Sequence, residues 1–316
     1  MSQNWLASAI GIVCVLGSGP AAAQQLPDRD YRPPVERPVW ASGKGPTVCV
    51  DEAHHNFHTL DDRFWAFGEL LRRDGYVTVP NTAQLSVRAL ESCRVLVISN
   101  AQLSDAEWDT YPYPTPSGFT PVEIQAAYDW VRMGGSLLLI ADHMPLAGVA
   151  ATLAARFGVT FNNGFAFEQV DPVTGQPGNS PTLFKTADGT LRPHAIVRGR
   201  GDEESVTRVR TFTGQAFRAP ATATPLLVLA DSFVSLMPDQ PWQFNRDTKK
   251  APVGGWLQGA VMGVGSGRAA FFGEAAMFSA QVAGPNRTPA GMNAPMADQN
   301  FQFVLNLLHW LTGQIE

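Results

Sequence analysis

The stretch GGSLLLIADHMPLAG, residues 134–148, decides the fold. Gly134 and Gly135 punctuate the chain, Ser136–Ala141 is a short unbroken apolar run, and Asp142-His143 follow it at once. A helix-period apolar pattern then occupies Ala147 to Phe157, with Gly158 in the stop position. A strand that is apolar at every position is buried on both faces, and helices on either side of it make a parallel sheet the natural setting. Upstream, Thr120-Pro121-Val122-Glu123 predicts a helix start, with Thr120 as cap, Pro121 in the first turn and Glu123 closing a capping box. That helix runs through Trp130 and Val131 into the two glycines.

The same alternation extends outward in both directions. Thr47–Asp51 reads as a strand ending in an acid, and Asp61–Asp74 as a helix carrying Phe64, Phe67, Leu70 and Leu71, with Gly75 after it. Strands follow at Tyr76–Val79 and Val95–Ser99, and later at Leu226–Ala230, Leu257–Val264 and Arg268–Phe272. Asp298–Leu311 makes a final helix ended by Gly313. Residues 162–205, rich in Gly, Pro, Asn and Asp, form an irregular excursion from the sheet. The expectation is an α/β fold, flavodoxin-like, with a mostly parallel sheet and helices on both faces. Gly263-Val264-Gly265-Ser266-Gly267 does not open a helix, so it is a hairpin turn and no phosphate loop.

Composition bounds the function. The 316 residues are 45% hydrophobic and 16% charged, a balance that builds a core and excludes a disordered chain. A net charge of −5 with no basic run excludes nucleic acid as a partner. At the start, Trp5–Leu16 is a short apolar run broken by Gly17, Ser18, Gly19 and Pro20, and Ala21-Ala22-Ala23 supplies small residues for cleavage. Residues 1–23 are therefore expected to be a signal peptide, although no Lys or Arg precedes the apolar run. Residues 24–46, with five prolines, form a linker, and 47–316 one domain. No later segment is long enough to span a membrane, so the expected location is periplasmic or secreted. In that setting Cys49 and Cys93 form an even pair, for which a disulfide and two buried thiols both fit.

In a parallel sheet, ligands bind outside the carboxyl ends of the strands. The residues at those ends are Asp51-Glu52-Ala53-His54-His55-Asn56 with His58 just beyond, Asn100, Asp142-His143, and Glu274. Four acids on one rim repel unless something compensates them. A divalent metal held by Asp51, His54, His58, Asp142 or His143 is one solution. A network of charged histidines and backbone donors is the second, and an acid kept protonated for proton transfer is the third. Asp51, His54, Asp142, His143 and Glu274 are the catalytic candidates; Glu52, His55, Asn56 and Asn100 are the ligand-binding ones. Residues 101–118 carry Trp108, Tyr111 and Tyr113 and can form a lid whose Trp108 stacks on a sugar, or can simply close the core. His194 and His309 read as packed histidines outside the site.

DEAHHNFHT at 51–59, GGSLLLIADHMPLAG at 134–148 and GRAAFFGEAAMFSAQ at 267–281 resemble an uncharacterised bacterial domain family of the class I glutamine amidotransferase-like superfamily, near the gliding-motility and intraflagellar-transport domains. The resemblance covers about residues 47–312 and implies a flavodoxin-like fold, with carbohydrate as a suspected ligand of relatives. The superfamily's enzymes use a Cys at a strand-to-helix elbow, whereas the elbow here reads Asp142-His143. The sequence therefore points to an exported hydrolase acting on a glycan or polar small molecule, and away from ammonia release from glutamine. A non-catalytic carbohydrate-binding or envelope scaffold domain is the alternative, with the protein partner unknown.

Overall fold

The computed structural model describes residues 25–105, 111–168 and 182–316. Its centre is a nine-stranded sheet. In chain order the elements that build the centre are β1 (Thr47–Asp51), α1 (Trp65–Arg73), β2 (Val77–Asn81), β3 (Val95–Ser99), α2 (Pro121–Arg132), β4 (Ser136–Ile140), α3 (Leu146–Arg156), β5 (Leu257–Val264), β6 (Gly267–Phe272) and α4 (Asn300–Thr312). Strands β2, β1, β3, β4 and β6 lie side by side in that order and all run parallel. β5 returns antiparallel to β6, and short antiparallel strands extend the sheet beyond it.

Counting the parallel strands alone in chain order, this is the 2-1-3-4-5 order of a flavodoxin-like sheet, with the switch in direction between β1 and β3. Side-chain alternation sorts the strands between two cores. Val48 and Val50 of β1 join α1 and α4 on one face, while Cys49 joins α2 and α3 on the other. β3 and β4 are buried at every position, as a strand covered on both faces must be. Each such Val, Leu or Ile contributes roughly 1.5–3 kcal/mol by leaving water.

Local chemistry sets the element ends. Thr120 Oγ1 accepts from the Glu123 N–H at 3.3 Å and Glu123 returns to the Thr120 N–H at 3.0 Å, so the capping box is formed. β5 and β6 make a hairpin, and Gly265 turns it at φ +61° where a Cβ would stand 2.5 Å from Arg132 O. The expected helix from Asp61 is shorter in the structure, beginning at Trp65. Thr59 O accepts from both Asp62 N and Phe64 N, which holds residues before Trp65 in turns, and Phe64 offers no capping side chain. Cys49 and Cys93 are joined by a disulfide with the Cα atoms 5.7 Å apart, tying β1 to the approach to β3.

Outside the central sheet, Gln25–Pro27 pairs antiparallel with Ala280–Ala283. Arg32 lies over the Trp65 ring at 4.4 Å, and Trp40 packs edge-on to Tyr76 at 4.6 Å. Between α3 and β5 a second, three-stranded antiparallel sheet forms from Phe165–Glu168, Phe233–Met237 and Lys249–Pro252. The excursion read at 162–205 thus holds strands at Phe165–Glu168 and Thr182–Lys185 and a short helix at Ala195–Arg198; residues 169–181 lie outside the described residues. Among the described residues no helix is long and apolar enough to cross a membrane.

Candidate functional site

Asp51, Asn100, Asp142 and Glu274 all stand at the carboxyl edge, because their strands are parallel neighbours. Asp51 ends β1; Asn100, Asp142 and Glu274 follow β3, β4 and β6. The register places Ser99 beside Ile140 and Ile140 beside Phe272, so the three following loops leave the sheet at one level. The polar residues on this edge divide into two clusters.

The first is closed. Asp51 shares the inward parity of Cys49 and faces the start of α2. His54 lies between them and donates from Nδ1 to Asp51 Oδ2 at 2.8 Å and from Nε2 to Glu123 Oε1 at 3.0 Å. An imidazole donating from both nitrogens is an imidazolium. Burial opposes that charge, but the two carboxylates outweigh it and raise the His54 pKa above its ordinary value. For Glu123, burial acts upward and is outweighed by the Thr120 N–H and hydroxyl and by His54, leaving its pKa lowered. Asn81 Nδ2 donates to Asp51 Oδ1 at 3.4 Å and Leu85 N to Glu123 Oε1 at 3.2 Å. All three charged side chains are buried. The cluster is an internal ion network in which one imidazolium serves two carboxylates.

The second cluster is open. Asn100, held at φ +49°, accepts the Asp142 N–H on Oδ1 at 2.9 Å, so the end of β3 positions the loop after β4. Asp142 Oδ1 in turn accepts the His143 N–H at 2.8 Å. The His143 ring donates from Nδ1 to Met144 O at 2.8 Å and stacks on Phe165 at 4.5 Å, with Nε2 3.9 Å from Asp142 Oδ1. Glu274 is 1% exposed, and its two oxygens accept Ala276 N at 2.9 Å and Met277 N at 2.8 Å. Burial, and next the nearby Asp142 charge, push its pKa well above the usual carboxylate range; the two N–H donors and Arg210 only moderate the rise. Beneath them the wholly buried Gln215 bridges the strand ends, donating to Ala141 O at 3.0 Å while its backbone N–H bonds Gly273 O at 2.7 Å.

The remaining candidates from sequence brace the loop between β1 and α1. Glu52 Oε1 accepts Leu60 N at 2.8 Å, and Asn56 bonds His54 N at 3.1 Å and Ser99 O at 3.3 Å. His55, at φ +49°, is half-exposed and meets Asp105 at 3.0 Å. His58 is buried on Phe64 and bonds Ser99 Oγ at 3.1 Å; burial, helped by Arg63, drives its pKa down to about 3. With His54 engaged at both nitrogens and His58 turned to Ser99, the expected metal set Asp51, His54, His58, Asp142 and His143 is not assembled. Among the described residues no group of three or more His, Cys, Asp or Glu side chains is arranged to hold a metal ion. Trp108 lies outside the described residues, while Tyr111 is buried and accepts Leu103 N, closing the core.

Three contributors escaped the sequence reading. In sequence Glu123 signals only a cap, although a helix following a parallel strand must begin at this edge. Gln215 lies in a region with no strong pattern. Trp242 packs edge-on to His143 at 4.7 Å and to Phe165 at 4.7 Å, with Phe244 on Phe165 at 5.1 Å. No periodic signal links residue 242 to residue 143. A cleft of about 150 Å³ lies elsewhere, lined by Asp74, Arg200, Glu204 and His309. Ser136 Oγ bonds Leu311 O and Gly45 N bonds Gly75 O, which puts that cleft at the amino edge of the sheet, away from the acids.

The chain matches no protein-family model and no curated protein. Among solved structures, the IFT52 N-terminal domain aligns with a TM-score of 0.56 and 13% identity, covering 84% of this chain and 97% of that one. A ThuA-like protein from Bacteroides uniformis aligns at 0.47 and 12%, covering 88% and 96%. The fold is flavodoxin-like. At these identities the likeness extends to the fold and no further.

Proposed function

We propose that the open cluster is the working site of an exported hydrolase acting on a glycan or polar small molecule, with Glu274 as proton donor and Asp142 as base. The observation that carries this is the Asp142–Glu274 pair, which follows the paired strand ends Ile140 and Phe272, with Glu274 enclosed and Asp142 reaching solvent. Acids whose environments drive their pKa values apart can divide the acid and base roles of a hydrolysis at neutral pH. Asp142 takes a proton from the attacking water while Glu274 gives one to the leaving oxygen. The closed cluster keeps β1 and α2 in place and takes no proton. Glutamine amidotransfer is disfavoured, because the elbow residues are Asp142-His143 and the two cysteines after residue 23 are tied to each other.

Glu274→Gln and Asp142→Asn should each lower turnover by about 10²–10⁴-fold against a panel of glycosides and esters. Unchanged turnover in both variants overturns the assignment. A second reading, a binding domain without catalysis, is favoured by the near-complete enclosure of Glu274; ligand binding by wild type with no turnover would select it. Periplasmic or secreted location is supported by the Cys49–Cys93 disulfide, which persists in oxidising compartments. Mass spectrometry of the mature protein should find Gln24 as its first residue; an intact amino terminus in a cytosolic fraction would refute export.

A further inference from the structure

Beside the open cluster stands a group of aromatic rings that the core does not require. Trp242 is 48% exposed and Phe244 38% exposed, both on the loop between Phe233–Met237 and Lys249–Pro252. Trp242 holds φ +62°, a left-handed conformation that is costly for a bulky side chain. In that conformation its ring meets both His143 and Phe165 edge-on, and Phe244 meets Phe165 and Phe167. The two residues are thus anchored by ring contacts while about half of Trp242 and over a third of Phe244 remain in water. His143 is the residue after Asp142, so the exposed rings stand beside the loop that carries this acid.

The pattern selects among ligands. Two part-exposed rings make a small patch, well short of the apolar core of a stable protein interface. Against a net charge of −5, Asp239 and Asp247 offset two of the loop's three cations, Arg246, Lys249 and Lys250, which leaves little to attract an anionic lipid surface. A pyranose ring fits both features, since its C–H face packs on an aromatic ring while its hydroxyls reach carboxylates and amides. We infer that Trp242 and Phe244 form a sugar-stacking subsite that seats a neutral oligosaccharide across the rim, adjacent to Asp142. The inference rests on the proposed location of the working site and narrows its ligand from any polar molecule to a glycan.

Binding should be measured by calorimetry and tryptophan fluorescence with neutral hexasaccharides of glucose, xylose, mannose, galactose and N-acetylglucosamine. At least one should bind wild type saturably. Trp242→Ala should weaken it about tenfold or more and Trp242→Phe should retain most of the affinity, with unchanged circular dichroism and melting showing that both variants fold. Absence of binding by every hexasaccharide overturns the subsite, as does equal binding by Trp242→Ala, or binding to anionic vesicles instead. Glu274→Gln separates the two proposals. Sugar bound by wild type without turnover removes the hydrolase and leaves the subsite; turnover with a KM unaffected by Trp242→Ala removes the subsite and leaves the hydrolase.

Discussion

The two acid clusters on the carboxyl edge solve one electrostatic problem in opposite ways. Around His54, two carboxylates and one imidazolium leave no ring nitrogen unused. Around Glu274, a second carboxylate stands close by and Arg210 gives only partial relief. A buried network in which every ring nitrogen meets a carboxylate stabilises one arrangement of the chain, whereas a pair of like charges stabilises a proton. The first cluster is suited to holding β1, α2 and the loop between them; the second is suited to chemistry.

The largest effect should come from breaking the closed cluster. His54→Ala leaves Asp51 and Glu123 buried without their cation and should cost about 3–5 kcal/mol in denaturant unfolding. A loss below about 1 kcal/mol would mean that the network is not paired as described.

Acid should produce the next effect, through His58. Its folded pKa of about 3 lies below the unfolded value of 6.5, so the unfolded chain binds the proton more readily. Its contribution is complete above pH 6.5 and declines as pH falls, by roughly 5 kcal/mol once pH is below 3. His54 has the opposite sign, since its folded pKa is raised. Its contribution is complete below 6.5 and fades as pH rises through the folded value. His58→Phe should therefore flatten the acid limb of a stability–pH curve while leaving the alkaline limb in place.

Opening the Cys49–Cys93 disulfide, by reduction or as a double Ala variant, should cost about 2–4 kcal/mol for a closed loop of 44 residues. The smallest effect should be that of Glu274→Gln on stability. Near pH 4 it should cost about 1 kcal/mol for one weakened backbone hydrogen bond. Glu274 has a raised folded pKa, so wild type loses its contribution as pH rises through that value and the variant should then match or exceed it. A large destabilisation at every pH would instead place Glu274 with His54, as a structural acid.

The sheet was legible because its signals are local. Apolar runs at 47–51, 95–99 and 136–141 and the Thr120/Glu123 box each declare themselves within a few residues, and parallel pairing then brings Asp51, Asn100, Asp142 and Glu274 to one edge. The division of that edge into a closed and an open cluster was not legible. It depends on which acid meets which histidine, and Glu123 meets His54 across 69 positions. His58 resembled a ligand by spacing, but its burial against Phe64 makes it a neutral core residue. Trp242 was overlooked because a loop tryptophan acquires meaning only from the ring beneath it.

The pairing of Gln25–Pro27 with Ala280–Ala283 has a consequence for the order of assembly. During synthesis the early strand emerges some 250 residues before its partner. Whatever the order in which the rest collapses, this clasp cannot close before residue 283 is present. It closes just downstream of Ala276 and Met277, whose N–H groups hold Glu274.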